Sequence, residues 1–138
     1  MKKTIVLLFA LFLLTGCILP GPAKEPTLDQ LTRVDVEYED NTYFESVIEG
    51  EEEVNELIQI LQEISWEDGK AEMAREPDMI LHLFFTVEEG MPESIRPIQI
   101  WFNSDQTATL IDSHNARIGK LKKEYASKLQ ELIKFEVQ

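Results

Sequence analysis

The sequence predicts an α+β fold in which an antiparallel sheet of about five strands, in the order ββαβββα, carries two helices on one face. Two segments have a single apolar stripe at helical spacing, so each predicted helix has one side to bury. Short polar turns separate the strand segments, which is typical of hairpins and therefore of antiparallel pairing. The length of 138 residues is suited to one domain.

A first hairpin and a helix open the predicted domain. From Val34 to Tyr38, apolar residues alternate with acidic ones, which is the pattern of a half-buried strand. A turn at Asp40 would return the chain along a second strand over residues 43–48. Residues 51–64 form an amphipathic helix, and its three leading glutamates lie where the helix dipole favours anions.

The second half of the chain predicts three more strands and a closing helix. Residues 79–87 are apolar on both faces except His82 and Thr86, which indicates a central strand. Residues 97–102 and 107–112 form a second hairpin around a polar turn, and a final helix covers about 121–134. Residues 65–78 are interpreted as a connection that Pro77 ends.

The N-terminal segment has the pattern of a bacterial lipoprotein signal. Lys2 and Lys3 precede a charge-free apolar run over 4–14, and Leu14-Thr15-Gly16-Cys17 resembles a lipobox. The sequence therefore predicts a signal peptide at 1–16, a lipidated Cys17 with a flexible linker to residue 32, and a single domain at 33–138. Two or three acyl chains on Cys17 would hold the protein at the outer face of the cell membrane.

Composition excludes several kinds of function. Cys17 is the only cysteine, so the domain has no disulfide and no thiolate metal site. The formal net charge is −13, and loss of Lys2 and Lys3 with the signal peptide would make it −15. Such a surface repels nucleic acid, which is excluded as a partner. The predicted partners are membrane lipid, through the acylated cysteine, and an envelope protein.

Four residues form the predicted binding surface. Lys70 and Arg75 stand out in a chain this acidic, and Trp66 and Trp101 could complete an aromatic and basic recognition surface. The simpler interpretation is that Trp66 caps the core at the end of the first helix while both cations pair with nearby acids. Both interpretations remain open from the sequence.

Other polar residues predict no catalytic centre, no metal site and no cofactor. The string Asp112-Ser113-His114 cannot align as a triad, because neighbours at a strand end point in different directions, and a polar turn is the better interpretation. His82, alone on an apolar strand, is expected to be satisfied by a hydrogen bond rather than to bind a metal. No calcium-binding loop motif is present.

A group of known proteins shares several of these features. The lipobox, the motif Trp66-x-x-Gly69-Lys70-x-x-Met73-x-x-x-Pro77-Asp78, the triplet Ile100-Trp101-Phe102 and the helix after Lys120 resemble the short lipoproteins of Gram-positive bacilli that carry a YhfM-like domain. The resemblance implies a Gram-positive cell surface and transfers no catalytic residue to this chain.

The sequence therefore favours a non-enzymatic, membrane-anchored binding or accessory module, for example a modulator of a cell-wall enzyme. One alternative is a small-ligand receptor or enzyme with a pocket near Trp66, Lys70, Arg75 and Trp101. A third hypothesis is a metal-dependent function that uses surface carboxylates.

Overall fold

The protein is described by a computed structural model that covers residues 21, 24–38 and 46–134. A short 3-10 helix at Leu28–Gln30 leads into the first strand. The seven strands are β1 Leu31–Tyr38, β2 Ser46–Ile48, β3 Ser65–Asp68, β4 Met79–Phe85, β5 Ser94–Phe102, β6 Ala108–Asp112 and β7 Arg117–Leu121. The two α-helices are α1 Glu51–Gln62, between β2 and β3, and α2 Lys123–Leu132, after β7.

All seven strands belong to one antiparallel sheet in the spatial order β2-β1-β4-β5-β6-β7-β3. The strands β4 to β7 form a meander, in which each strand pairs with the next one along the chain. Strands β2 and β3 lie at opposite edges, and α1 connects them directly. The first helix therefore crosses one face of the sheet from edge to edge.

The hydrophobic core lies between the helices and this covered face, here called the inner face. Val34 on β1 is level with Leu83 on β4, and alternate residues along the strands share their side of the sheet. On α1 the buried residues are spaced three and four apart, as the amphipathic pattern predicts; they are Val54, Leu57, Ile60 and Leu61. The hydroxyl of Tyr38 donates a hydrogen bond to the carbonyl oxygen of Ile133, 3.1 Å away, and so joins β1 to the end of α2.

The predicted class, an α+β fold with an antiparallel sheet and two helices, is confirmed, but the count of five strands was wrong. The extra strands are β3 and β7, which pair with each other from Ser65 opposite Lys120 to Asp68 opposite Arg117. Both are short, and β3 buries only Trp66 in part, so neither shows the apolar alternation that marks a strand in sequence. Strand β7 also includes Leu121, which the sequence had assigned to the final helix.

The boundaries at the N-terminal side also differ from the prediction. Strand β1 begins at Leu31, and Leu28 packs against the core, so part of the predicted linker belongs to the folded domain. The side chain of Gln30 donates a hydrogen bond to the carbonyl oxygen of Val87, 3.3 Å away. The predicted signal peptide, Cys17 and the turn at Asp40 lie outside the described residues.

One close approach fixes the position of β3 beside the core. A Cβ atom on Gly119 of β7 would lie 2.6 Å from Cγ2 of Ile64 and 2.9 Å from a ring carbon of Trp66. Such distances are well inside van der Waals contact, so only glycine lets these two side chains cover β7 directly. Because Gly119 has no side chain, the indole of Trp66 can pack directly on the inner face of β7.

Candidate functional site

The loop between β3 and β4 is fastened to the outer face of the sheet, opposite the helices. The indole N–H of Trp101 donates to the carbonyl oxygen of Arg75 at 2.9 Å, and only 4% of Trp101 is exposed. The guanidinium of Arg75 binds both carboxylate oxygens of Asp78, at 2.7 and 2.9 Å, and donates to the carbonyl oxygen of Phe102. Arg75 thus pairs with a nearby acid, as the simpler sequence interpretation predicted.

The four residues of the predicted binding surface do not meet in one pocket. Trp66 lies level with Gly119, which in turn lies level with Leu110 on the inner face. Trp101 and Arg75 lie together on the outer face, and Lys70 is exposed in the loop. The expectation of a shared pocket was wrong, because successive residues of a strand point to opposite faces and the pairing register sets the two tryptophans on different ones.

A different concave site lies on the inner face, between the end of α1 and the sheet. We call it the α1 cavity; its volume is about 180 Å³. It is lined by Glu25, Pro26, Leu28, Leu61, Ile64, Trp66, Leu83, Phe85, Arg96, Ile98, Asp112, Asn115 and Arg117. Most of its wall is apolar, and its polar groups come from three strands, one turn and the segment before β1, which the sequence did not connect.

Asp112 forms the fixed polar end of the α1 cavity. This carboxylate is 3% exposed and accepts hydrogen bonds from the backbone N–H groups of His114 and Asn115, from the Asn115 amide and from Arg117. Burial raises the pKa of Asp112, but the hydrogen bonds from Arg117 and Asn115 and the charge of Arg117 outweigh it and lower the pKa below the ordinary 3.8. Asp112 is therefore ionised at neutral pH and holds Arg117.

Arg117 is held in place by two contacts, but one of its N–H groups has no hydrogen-bond partner among the described residues. One terminal nitrogen lies 2.8 Å from Asp112, and the guanidinium stacks over the ring of Trp66 at 4.8 Å from its centroid. The Nε atom is buried and has no hydrogen-bond partner among the described residues. A buried donor without a partner is rare in proteins, and it is a place where a ligand or an ordered water gains a hydrogen bond.

Arg96 is the second guanidinium in the α1 cavity. It lies level with Leu83 on the inner face of β5, on the same side of the strand as Ile98. The side chain is half-buried, and within the described ranges no hydrogen bond or ion pair engages it. An arginine among apolar side chains without a structural partner is available to an anion.

The polar groups that line the α1 cavity are two carboxylates, two guanidinium groups and one amide. No serine, threonine, cysteine or histidine is among the described residues that line it. Its carboxylates are Asp112, which is held as an anion by four hydrogen bonds, and the exposed Glu25. A lowered pKa makes Asp112 a weak base.

Several other residues were assigned from the sequence. His82 lies on the outer face of β4, and its Nε2 is 2.7 Å from a carboxylate oxygen of Glu37, as expected for a histidine satisfied by a hydrogen bond. Ser113 and His114 are exposed in the polar turn between β6 and β7. Within residues 24–38 and 46–134, no group of three or more histidine, cysteine or acidic side chains is placed to hold a metal ion.

Arg96 was missed because the predicted strand began too late, and Arg117 because β7 was not predicted at all. The predicted hairpin started at residue 97, although Arg96, Ile98, Ile100 and Phe102 alternate along one side of the observed strand. A charged residue at an inward position of an apolar alternation is the signal that could have identified Arg96. Nothing comparable marks Arg117, whose strand carries no such pattern.

The fold defines an α+β protein built on a seven-stranded antiparallel sheet, and the comparisons agree at that level. No family model matches the sequence, and no curated protein is similar to it. A thioesterase-like protein from Clostridium sporogenes has a similar structure, with a TM-score of 0.51 and 15% identity, over 78% of this chain and 96% of that one. At this identity the likeness shows the fold alone. The described part of the chain contains no helix that could cross a membrane.

Proposed function

We propose that this protein is a lipid-anchored extracytoplasmic binding protein that takes a small ligand into the α1 cavity without transforming it. The observation that carries the proposal is the cavity itself: about 180 Å³ of space with apolar walls and two guanidinium groups. Sites for small molecules combine apolar walls with a few placed polar groups in this way. The described lining has no hydroxyl, thiol or imidazole side chain, which supports binding over catalysis.

The predicted anchor is compatible with this site. Glu25 and Pro26 line the cavity, and Glu25 follows the lipobox cysteine by eight residues. An extended chain spans at most about 3.5 Å per residue, so the cavity would lie within roughly 30 Å of the acyl chains on Cys17. A ligand of the membrane surface or the cell wall would be within reach, whereas the acidic domain would be repelled by anionic headgroups.

The cavity is tested by filling it. Ile98→Phe places a larger side chain in the cavity wall, and Ile95→Phe makes the same change at an exposed position of the same strand. A panel of small aromatic and aliphatic probes is measured by ligand-observed NMR on the mature chain carrying Cys17→Ser. We expect binding that Ile98→Phe removes and Ile95→Phe leaves intact. If no probe binds wild type, or if Ile98→Phe leaves probe binding unchanged, the site is excluded.

The anchor is tested by metabolic labelling with an alkyne analogue of palmitate. We expect wild type to be labelled and to sediment with membranes, and Cys17→Ser to lose both properties. Adding Ser113→Cys to Cys17→Ser restores a thiol in an exposed turn, and this control should remain unlabelled. Membrane-bound, labelled Cys17→Ser protein would contradict the proposed anchor.

An envelope protein partner is the second candidate function. Val47 and Ile95 are about half exposed on the outer face, and Met91 is 61% exposed in the neighbouring loop. Val47 lies on the edge strand β2 and Ile95 three strands away on β5, so a partner would have to cover the outer face across these strands. Pull-down with the anchored protein, against a control with the linker alone, tests this candidate; recovery of nothing beyond the control would refute it.

A further inference from the structure

The α1 cavity also indicates the chemistry of its ligand. Two of the chain's few cations, Arg96 and Arg117, face one small space although the protein carries a formal net charge of −13. Asp112 forms an ion pair with Arg117, and no described side chain lies within ion-pair distance of Arg96. The formal charges of the lining balance, because Asp112 and Glu25 offset the two arginines, but Arg96 is a cation that no described side chain bonds.

The donors have the geometry that oxyanions require. A guanidinium presents its N–H groups in a planar fork, which matches a carboxylate or a phosphate with two parallel hydrogen bonds. Arg96 can offer such a fork, and the buried Nε of Arg117 offers one more N–H that lacks a partner among the described residues. The stacking of Arg117 on Trp66 and its bond to Asp112 hold this donor in position before a ligand arrives.

The size of the cavity limits the rest of the ligand. An engineered apolar cavity of about 150 Å³ accommodates benzene, so the 180 Å³ here suits one ring or a short branched chain. Leu83, Ile98 and Trp66 provide apolar and aromatic surface beside the two arginines. A molecule with an apolar body and one anionic end would bury its body against these side chains and pair its anionic end with the arginines.

We infer that the ligand class of the α1 cavity is a small anionic amphiphile, in which a carboxylate or phosphate ester binds Arg96 and Arg117 and an apolar group of about one ring lies against Trp66, Leu83 and Ile98. This inference rests on the proposed function, because it assigns the ligand of the same site. Arg96 is the residue that distinguishes an anion from a neutral molecule of the same shape.

The experiment uses matched probes and matched charge changes. Phenylacetate, phenyl phosphate and the neutral phenylacetamide are titrated by isothermal calorimetry into mature protein with Cys17→Ser. Arg96→Gln removes the cavity charge, and Lys70→Gln removes one charge from an exposed loop. Because Arg96 has no bonded partner among the described residues, Arg96→Gln is expected to fold, which circular dichroism checks.

We expect an anionic probe to bind at least about tenfold more tightly than the amide, as hydrogen bonds to charged groups permit. Arg96→Gln should weaken the affinity for the anionic probe by about tenfold and leave the affinity for the amide unchanged. Lys70→Gln should change the affinity for either probe by less than about twofold. The tighter of phenylacetate and phenyl phosphate identifies the oxyanion, and both outcomes support the inference.

Two results would overturn the inference, and they have different consequences. Equal affinity for anion and amide, or equal effects of Arg96→Gln and Lys70→Gln, would show that the cavity binds without reading charge, and the proposed function would stand. No binding of any probe at millimolar concentration would remove both the inference and the proposed function.

Discussion

Gly119→Ala should destabilise the protein because the new methyl group has no room. Its carbon would lie 2.6 Å from Cγ2 of Ile64 and 2.9 Å from the Trp66 ring. Carbon atoms in contact prefer about 3.5–4.0 Å, so Ile64 or β7 must move by roughly 1 Å. Overpacking of this kind costs about 1–3 kcal/mol, and the smaller entropy of the unfolded alanine chain returns about 0.4–1 kcal/mol.

The expected net loss is therefore about 1–2 kcal/mol in the free energy of unfolding. Urea unfolding followed by tryptophan fluorescence measures it, since Trp66 lies at the altered contact. The control is Gly50→Ala at the start of α1, where the added carbon would lie 3.2 Å from Oε2 of Glu53. That atom ends a flexible exposed side chain that can turn away, so we expect a change of about 0.5 kcal/mol or less.

A second background tests the cause of the loss. Ile64→Ala removes the methyl group nearest to the new carbon, so in that background the cost of Gly119→Ala should fall by at least about half. An equal cost in both backgrounds, or a Gly119→Ala protein as stable as wild type, would refute the steric argument. The displacement that Gly119→Ala forces on its neighbours should also move Trp66 in the cavity wall and change the affinity for probes of the α1 cavity.

Three further predictions follow from single contacts. The pKa of Asp112 is lowered in the folded state, so the ionised carboxylate stabilises the fold above pH 3.8, and this stabilisation is lost as the pH falls through the folded pKa. Asp112→Asn should therefore lower the free energy of unfolding at pH 7 and reduce the further loss of stability below about pH 4. An unchanged slope in acid unfolding would contradict this prediction. Asp78→Ala removes the acceptor of the 2.6 Å bond from the Phe102 N–H and the partner of Arg75; we expect a loss of about 1–2 kcal/mol in urea unfolding, and a loss below about 0.3 kcal/mol would count against it. Millimolar calcium should not raise Tm in differential scanning fluorimetry, because no described carboxylate cluster is placed to hold it.

Strong local patterns allowed most elements to be predicted. The apolar stripe of α1, the run of β4 and the alternation of β1 each bury their own apolar side, so the signal is present in the residues themselves. Their boundaries differ from the prediction by only a few residues. Trp66 at the edge of the core and Arg75 paired with an acid agree with the simpler of the two interpretations that the sequence left open.

The candidate site could not be predicted in the same way. Strands β3 and β7 stabilise each other although about fifty residues of chain separate them, and neither has an amphipathic pattern of its own. The α1 cavity depends on that pairing, because Trp66 comes from β3 and Arg117 from β7. The prediction that Trp66 and Trp101 share a surface was wrong for the same reason, since the register of two distant strands decided their faces.

The sequence by itself determined the α+β class, the central strand, the amphipathic helices and the excess of acid, because each depends on residues close together in the chain. The predicted lipid anchor at Cys17 also depends on a local motif. Only the tertiary structure decided that Arg96 and Arg117 face one apolar cavity. Strand register places residues from distant segments on the same face, and no local pattern records which distant partner a strand will take.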